Sequence, residues 1–390
     1  MSNPLTKTSR LEHLSFTLAL ALGLIGAWWR TLTIPYPMFD SSEYQINIPS
    51  VNMVPTPNPS PVFIRELLPK NAITPTVHSP TLVRLPNGNV LAAWFGGSRE
   101  GAKDVAIYAS ERNSNGWSSM KVLANRKTVE QALQRPIRKL GNPVLTIDKA
   151  SRVWLFFVVV SLGGWSTSAV AYQISTDNGQ HFSLPRLLVT SPVLNISTLV
   201  RARPLNYQDG SIAVPMYHEL LGKFGLNVRI ASGGRILSIA HIGNLRTAIQ
   251  PTIVAINSQQ AIALLRRTGI APPQVLWSRT NDGGQSWSLP QASNLSNPDS
   301  SCAAIRRFGG GILLAYNPTK QGRNILSLAR FDHKQRWQHL HDLERGQAQD
   351  EFSYPFLISG PAYDYTIVYT WKRRRIAYIH FNEAWLQTLP

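Results

Sequence analysis

Six times along this chain a short apolar segment, in all but one copy opened by a proline, runs into a turn and then a second apolar segment. The copies are SPTLVRLPNGNVLAAWF, NPVLTIDKASRVWLFFV, RPLNYQDGSIAVPMY, QPTIVAINSQQAIALLR, CAAIRRFGGGILLAYN and YPFLISGPAYDYTIVYTW. Short apolar runs bounded by Gly, Asn and Asp read as paired strands. Five copies open on a proline, at Pro80, Pro143, Pro204, Pro251 and Pro355; the remaining one has Ala303 or Ala304 there. A spacing of roughly 50–60 residues suits one four-stranded blade per copy, a period that a β-sandwich does not need. The expected fold is all-β, a six-bladed β-propeller over residues 76–385.

A second motif lies between the copies. Ser175 to Phe182 (STDNGQHF) and Thr280 to Trp287 (TNDGGQSW) share Ser/Thr-x-Asp-x-Gly-x-x-aromatic. This is hairpin chemistry: Asp accepts from turn amides, Gly supplies positive φ, and the aromatic packs between sheets. A turn between third and fourth strands sits opposite the start of the first strand, so these boxes are expected to be structural.

Ahead of the repeats, Leu14 to Trp29 is an uncharged run preceded by Lys7 and Arg10. Residues 1–33 are therefore expected to be a cytoplasmic tip with an uncleaved signal anchor, a transmembrane helix that leaves the propeller exported. Prolines recur from Pro35 to Pro75, so residues 34–75 are expected to be an extended spacer.

Lys and Arg number 39 against 21 Asp and Glu, a formal charge of +18. Such a balance admits nucleic acid, an anionic membrane or an acidic glycan. The basic residues are scattered and fit no nucleic-acid motif, so the expected partners are an acidic glycan and, through the N-terminal helix, a membrane. One cysteine, Cys302, excludes an intramolecular disulfide. The His and carboxylate residues lack metal-ligand spacing, so no metal or other cofactor is expected.

In a propeller the innermost strand of each blade lines the axis. Residues before each opening position should then ring one mouth: His78, Asn142, Arg203, Gln250, Ser301 and Tyr354. The ends of the second strands add Trp94, His218, Glu219, Arg266, Asn317 and Trp371. This is a polar, partly cationic funnel, and each member could equally be a solvated strand end.

The Asp-boxes and six repeats resemble the sialidase (neuraminidase) superfamily, in particular its bacterial BNR-repeat, predicted-neuraminidase branch. The resemblance spans roughly His78 to Phe381 and implies a terminal acidic sugar hydrolysed by a Tyr nucleophile, a Glu that polarises it and an Asp acid/base. On those positions stand Tyr354, Glu219 and Asp104, with Arg99 at the arginine that precedes the acid. The sequence departs from the family at two opening motifs. Arg-Ile-Pro is His78-Ser79-Pro80 here, and Gly-Tyr-Ser is Glu351-Phe352-Ser353, which would put Phe352 at the nucleophile's position. The expected activity is a sialidase-like exo-glycosidase; a glycan-binding propeller without catalysis, or a lyase or other glycosidase acting on a uronate-containing polysaccharide, remains open beside it.

Overall fold

The computed structural model describes residues 15, 17–23, 44–48, 60–70, 73–191, 195–308, 310–331, 336–361 and 363–390. Six antiparallel sheets surround one axis, each a blade. Their innermost strands are Thr76–Arg84, Lys139–Ile147, the broken pair Leu199–Val200 and Leu205–Asn206, Ala248–Ala255, Ala303–Arg306 and Phe352–Ser359. Each leads outward through a meander, as in blade 4: Ala248–Ala255, Ala261–Arg267, Gln274–Thr280, Gln291–Ser296.

The second strand of blade 2, Val153–Val160, is buried along its whole length because both its faces are covered. Trp154, Phe156 and Val158 pack toward Val214, Met216 and Val228 of blade 3. Leu155, Phe157 and Val159 pack toward Ala93, Phe95 and Ile107 of blade 1. The period of two thus serves two neighbouring blades at once. At about 25 cal/mol per Å² of apolar area, these interblade layers are the main stabilising term.

Both Asp-boxes close the turn between third and fourth strands. Asp177 accepts from the His181 amide at 2.9 Å and from Ser175 Oγ at 2.7 Å. Asp282 accepts from the Ser286 amide at 3.0 Å and from Thr280 Oγ1 at 2.6 Å. Gly179, at φ 76°, also has Leu91 so close that a Cβ would lie 2.8 Å from it, which leaves glycine as the residue that fits.

Two segments of the expected spacer belong to the packed structure instead. Phe63–Leu67 is a strand paired antiparallel with Arg375–Asn382, from Phe63↔Phe381 to Leu67↔Ala377. It forms the outermost strand of blade 6, so the ring is closed by joining an N-terminal strand to three C-terminal ones. Tyr44–Ile48 also docks: Ile46 bridges Tyr207, and both Tyr44 and Ile46 are buried. Proline frequency indicates extended backbone, and an extended segment at an open sheet edge gains hydrogen bonds by becoming a strand.

Most of the Leu14–Trp29 run lies outside the described residues; within it residues 15 and 17–23 are helical. Among the described residues no helix is long and apolar enough to cross a membrane.

Candidate active site at the channel mouth

Four blades share one device at the mouth. Ser79, Asn142, Gln250 and Tyr354 each precede a proline and each has positive φ, at 51°, 44°, 51° and 53°. At each the pairing with the second strand slips, between His78 and Thr81, Gly141 and Val144, Ile249 and Thr252, and Ser353 and Phe356. These are β-bulges, whose extra residue re-aims a side chain. Positive φ in a non-glycine residue is of order 1 kcal/mol unfavourable, and such strain recurs at functional sites. The position equivalent to Asn142 is Ser79, so His78, expected there, stands one residue earlier.

Tyr354 is the centre of the site. Arg266 Nη1 donates to its phenol oxygen at 3.4 Å. The guanidinium carbons of Arg201 and Arg323 lie 5.2 and 5.5 Å from its ring centroid. The His78 ring meets it edge-on at 4.5 Å. Burial pushes the phenol's pKa up, but the charges of Arg266 and Arg323 outweigh it and hold the group below the usual tyrosine value.

The arginines are fixed from behind. Arg266 Nε donates to Asp299 at 2.5 Å, and its Nη1 donates to Gln250 Oε1 at 3.2 Å. Gln250 Nε2 and Asn142 Nδ2 in turn donate to the buried Tyr217 hydroxyl at 3.2 and 3.3 Å. Arg323 Nη2 donates to the Asp299 carbonyl at 3.0 Å. Arg201 differs. It is 2 % exposed and donates through Nη2 to the carbonyls of Tyr354 and Pro355, while Nε and Nη1 have no hydrogen-bond partner among the described residues. Burial lowers its pKa to about 10, so it stays charged at neutral pH.

Behind His78 lies an ion network. Glu351 accepts from Arg373 Nε at 2.7 Å, Ser353 Oγ at 2.6 Å and Arg323 Nη1 at 3.4 Å. Arg373 Nη1 donates onward to Glu100 at 2.7 Å. Burial, then the charges of Arg373, Arg323 and Arg201, push the His78 imidazole well below its ordinary range, so it is neutral. Glu351 is raised by burial, but Ser353, Arg373 and Arg323 hold it below its ordinary 4.5. Because its folded value lies below its unfolded one, its stabilisation is complete above pH 4.5 and is lost as pH falls through the depressed value. We expect the melting-temperature gap between the protein and Glu351→Gln to be full above pH 4.5 and to close as pH falls below it. A gap independent of pH would show that the carboxylate charge contributes nothing.

The structure thus gathers His78, Asn142, Gln250, Arg266 and Tyr354, whereas Trp371 is half-buried against the core residue Phe352. It separates others. Arg203 lines the opposite end of the channel. Asn317 is a buried strut, donating to the Ile325 and Phe352 carbonyls at 2.6 and 2.8 Å. His218 stacks on Phe224 at 4.8 Å and accepts the Leu221 amide at 3.0 Å, bracing its own hairpin. Trp94 is core, at 1 % exposure, and Ser301 is buried.

Arg99 and Asp104 sit on an exposed loop. The Asp104 carboxylate accepts from the Ser98 amide at 2.8 Å and Ser98 Oγ at 2.9 Å. Its small loss of hydration raises its pKa, but the Ser98 donors outweigh that and hold it low. Glu219 is anchored by its amide to Ser197 Oγ at 2.8 Å, and its carboxylate has no hydrogen-bond or ion-pair partner among the described residues. It lies beside Tyr217, whose pKa is raised by burial and then by Tyr354 and Glu219; no hydrogen bond joins Glu219 to Tyr354. Phe352, the other candidate for the tyrosine position, is 2 % exposed and in the core.

Arg323, Arg373, Glu351 and Tyr217 were missed as site residues. Arg323 and Arg373 sit on hairpins between second and third strands, which open at the same mouth as the first-strand starts. That alternation of strand direction was the signal that could have found them.

A family model described as "BNR repeat-like domain" matches residues 88–367. The chain belongs to the BNR repeat-like domain family. No curated protein matches it. Solved structures share this BNR repeat-like fold at low identity. A Hadza microbial sialidase is 16 % identical at TM-score 0.67, over 82 % of this chain and 67 % of that one. The intramolecular trans-sialidase from Ruminococcus gnavus, complexed with oseltamivir carboxylate, is 14 % identical at TM-score 0.66, over 83 % and 98 %. A protein of unknown function from Dyadobacter fermentans is 12 % identical at 0.66, over 84 % and 100 %. At these identities the likeness is one of fold.

Proposed function

We propose that this BNR repeat-like protein is a glycosidase of sialidase type that cleaves a terminal acidic sugar, with Tyr354 as nucleophile. The observation that carries the reading is the Tyr354 side chain among Arg201, Arg266 and Arg323, with Arg201 lacking a carboxylate partner among the described residues. A buried guanidinium with free N–H groups is matched by a carboxylate of the ligand. A phenol suits this setting as nucleophile because it attacks an anionic sugar without like-charge repulsion. Its proton is made labile by the arginine charges, which takes over the part expected of Glu219. Attack by Tyr354 and hydrolysis of the glycosyl-enzyme give retention of configuration.

Asp104 is the proposed acid/base. Tied to Ser98 it is ionised and cannot protonate a leaving group; release from Ser98 and the approach of an anionic substrate both raise its pKa. Ser98 and Asp104 are both exposed, so the bond between them can be exchanged for bonds to water or substrate. Export across a membrane, read from Lys7, Arg10 and the Leu14–Trp29 run, completes the proposal by placing the mouth where acidic glycans are found.

One observation favours a second reading, glycan binding without turnover: neither Asp104 nor Glu219 hydrogen-bonds Tyr354. A panel of fluorogenic sialosides, aryl uronides and their neutral counterparts separates the two. The expected result is hydrolysis of an acidic glycoside only. Binding of acidic glycans with no turnover anywhere in the panel would replace the glycosidase by the lectin, and an unsaturated product absorbing in the ultraviolet would replace it by a lyase.

A further inference from the structure

The innermost strands run from the Tyr354 mouth to the opposite end of the channel, and there their last residues enclose a second cavity of about 260 Å³. All six blades contribute to it. Its polar lining includes Arg84, Arg203, Arg306, Thr146, Asn206 and Ser359.

The charges in this cavity are unbalanced. Arg203 makes no hydrogen bond or ion pair among the described residues, and its Nε is buried without a partner. Arg306, at the end of the next-but-one innermost strand, likewise has no hydrogen-bond or ion-pair partner among them. Arg84 donates through Nη2 to Asp364 at 2.8 Å, and its buried Nε has no partner among the described residues. Asn206 donates Nδ2 to the Ile147 carbonyl at 2.9 Å, and its buried Oδ1 has no partner among the described residues. Burial lowers the Arg203 pKa with no neighbouring charge acting against it. Removing a cation from water without a counter-charge is strongly unfavourable, and buried polar atoms are ordinarily satisfied.

We propose that this far mouth is an anion site that takes inorganic phosphate, or the phosphate group of a monoester, between Arg203 and Arg306. Guanidinium forks match the paired oxygens of a tetrahedral oxyanion. Two unpaired arginines balance a dianion, and Asn206 Oδ1 accepts from a ligand hydroxyl such as that of hydrogen phosphate. The cavity lies below the roughly 300–1,000 Å³ of organic-ligand pockets, which suits one charged group better than an oligosaccharide. The site is separate from the Tyr354 cluster and does not depend on the proposed hydrolysis.

Calorimetric titration and thermal unfolding of the full chain in phosphate against chloride, at matched ionic strength, test it. Saturable phosphate binding with a rise of a few degrees in Tm is expected. Arg203→Met and Arg306→Gln should each weaken binding at least about tenfold, the cost of a charge-assisted bond. Arg203 is half-buried and makes no hydrogen bond or ion pair among the described residues, so Arg203→Met breaks no contact and should keep the fold, and Arg306 is exposed. A parallel titration with glucose 6-phosphate tells the sources apart: free anion if only phosphate binds, a monoester if the sugar phosphate binds more tightly. If neither binds saturably, or if both variants bind as the unaltered protein does, the site is overturned.

Discussion

Tyr354→Phe is expected to lower kcat/KM for the acidic glycoside by roughly 10³-fold or more, because it deletes the attacking oxygen and leaves everything around it. The ring keeps its edge contact with His78 and remains under Arg201 and Arg323. The phenol accepts one long bond of 3.4 Å from Arg266, whose other partners, Asp299 and Gln250, are untouched. Melting temperature and circular dichroism should therefore be close to those of the unaltered protein, and acidic-glycan affinity should persist. Steady-state kinetics on both proteins decide it. A variant that retained a tenth of the activity would remove Tyr354 from the chemistry and leave Asp104 or a bound water to be tested next.

The second large effect concerns ring closure. A chain beginning at Ser60 keeps Phe63–Leu67 and should fold, whereas one beginning at Thr76 should be insoluble or melt at least about 10 °C lower. The longer deletion removes the register from Phe63↔Phe381 to Leu67↔Ala377 and exposes the edge of Arg375–Asn382. It also removes the ion pair of Arg65 with Glu344 at 2.5 Å and that of Glu66 with Arg112 at 2.8 Å. The Trp117 indole N–H loses its Glu66 acceptor at 2.9 Å. Five residues thus hold together blades from both ends of the chain. Both chains lack Tyr44–Ile48, so the loss of that segment cancels in the comparison. Equal stability of the two would show that blade 6 needs only its three C-terminal strands.

The repeat, the blade count, the Asp-box turns and the prominence of Tyr354, Gln250 and Asn142 were legible because each is a local pattern. A strand pair, a turn or a residue before proline is specified within about ten positions by periodicity and backbone sterics. Tertiary structure decided which of many arginines matter. Arg201, Arg266 and Arg323 come from three blades and converge only when the ring is closed. The residues around Arg203 carry two extra positions between Val200↔Met216 and Leu205↔Ala213, and Arg203 faces the other end of the channel. Two extra residues keep a side chain on its face but displace it along the strand toward the far end, and nothing local in the sequence marks such an insertion. Asp104 was marked by its position in the motif, but its bonds to Ser98 depend on how the exposed loop closes. The strand Phe63–Leu67 was read as spacer because its partner, Arg375–Asn382, lies at the far end of the chain; a pairing between the two ends leaves no local signal in either.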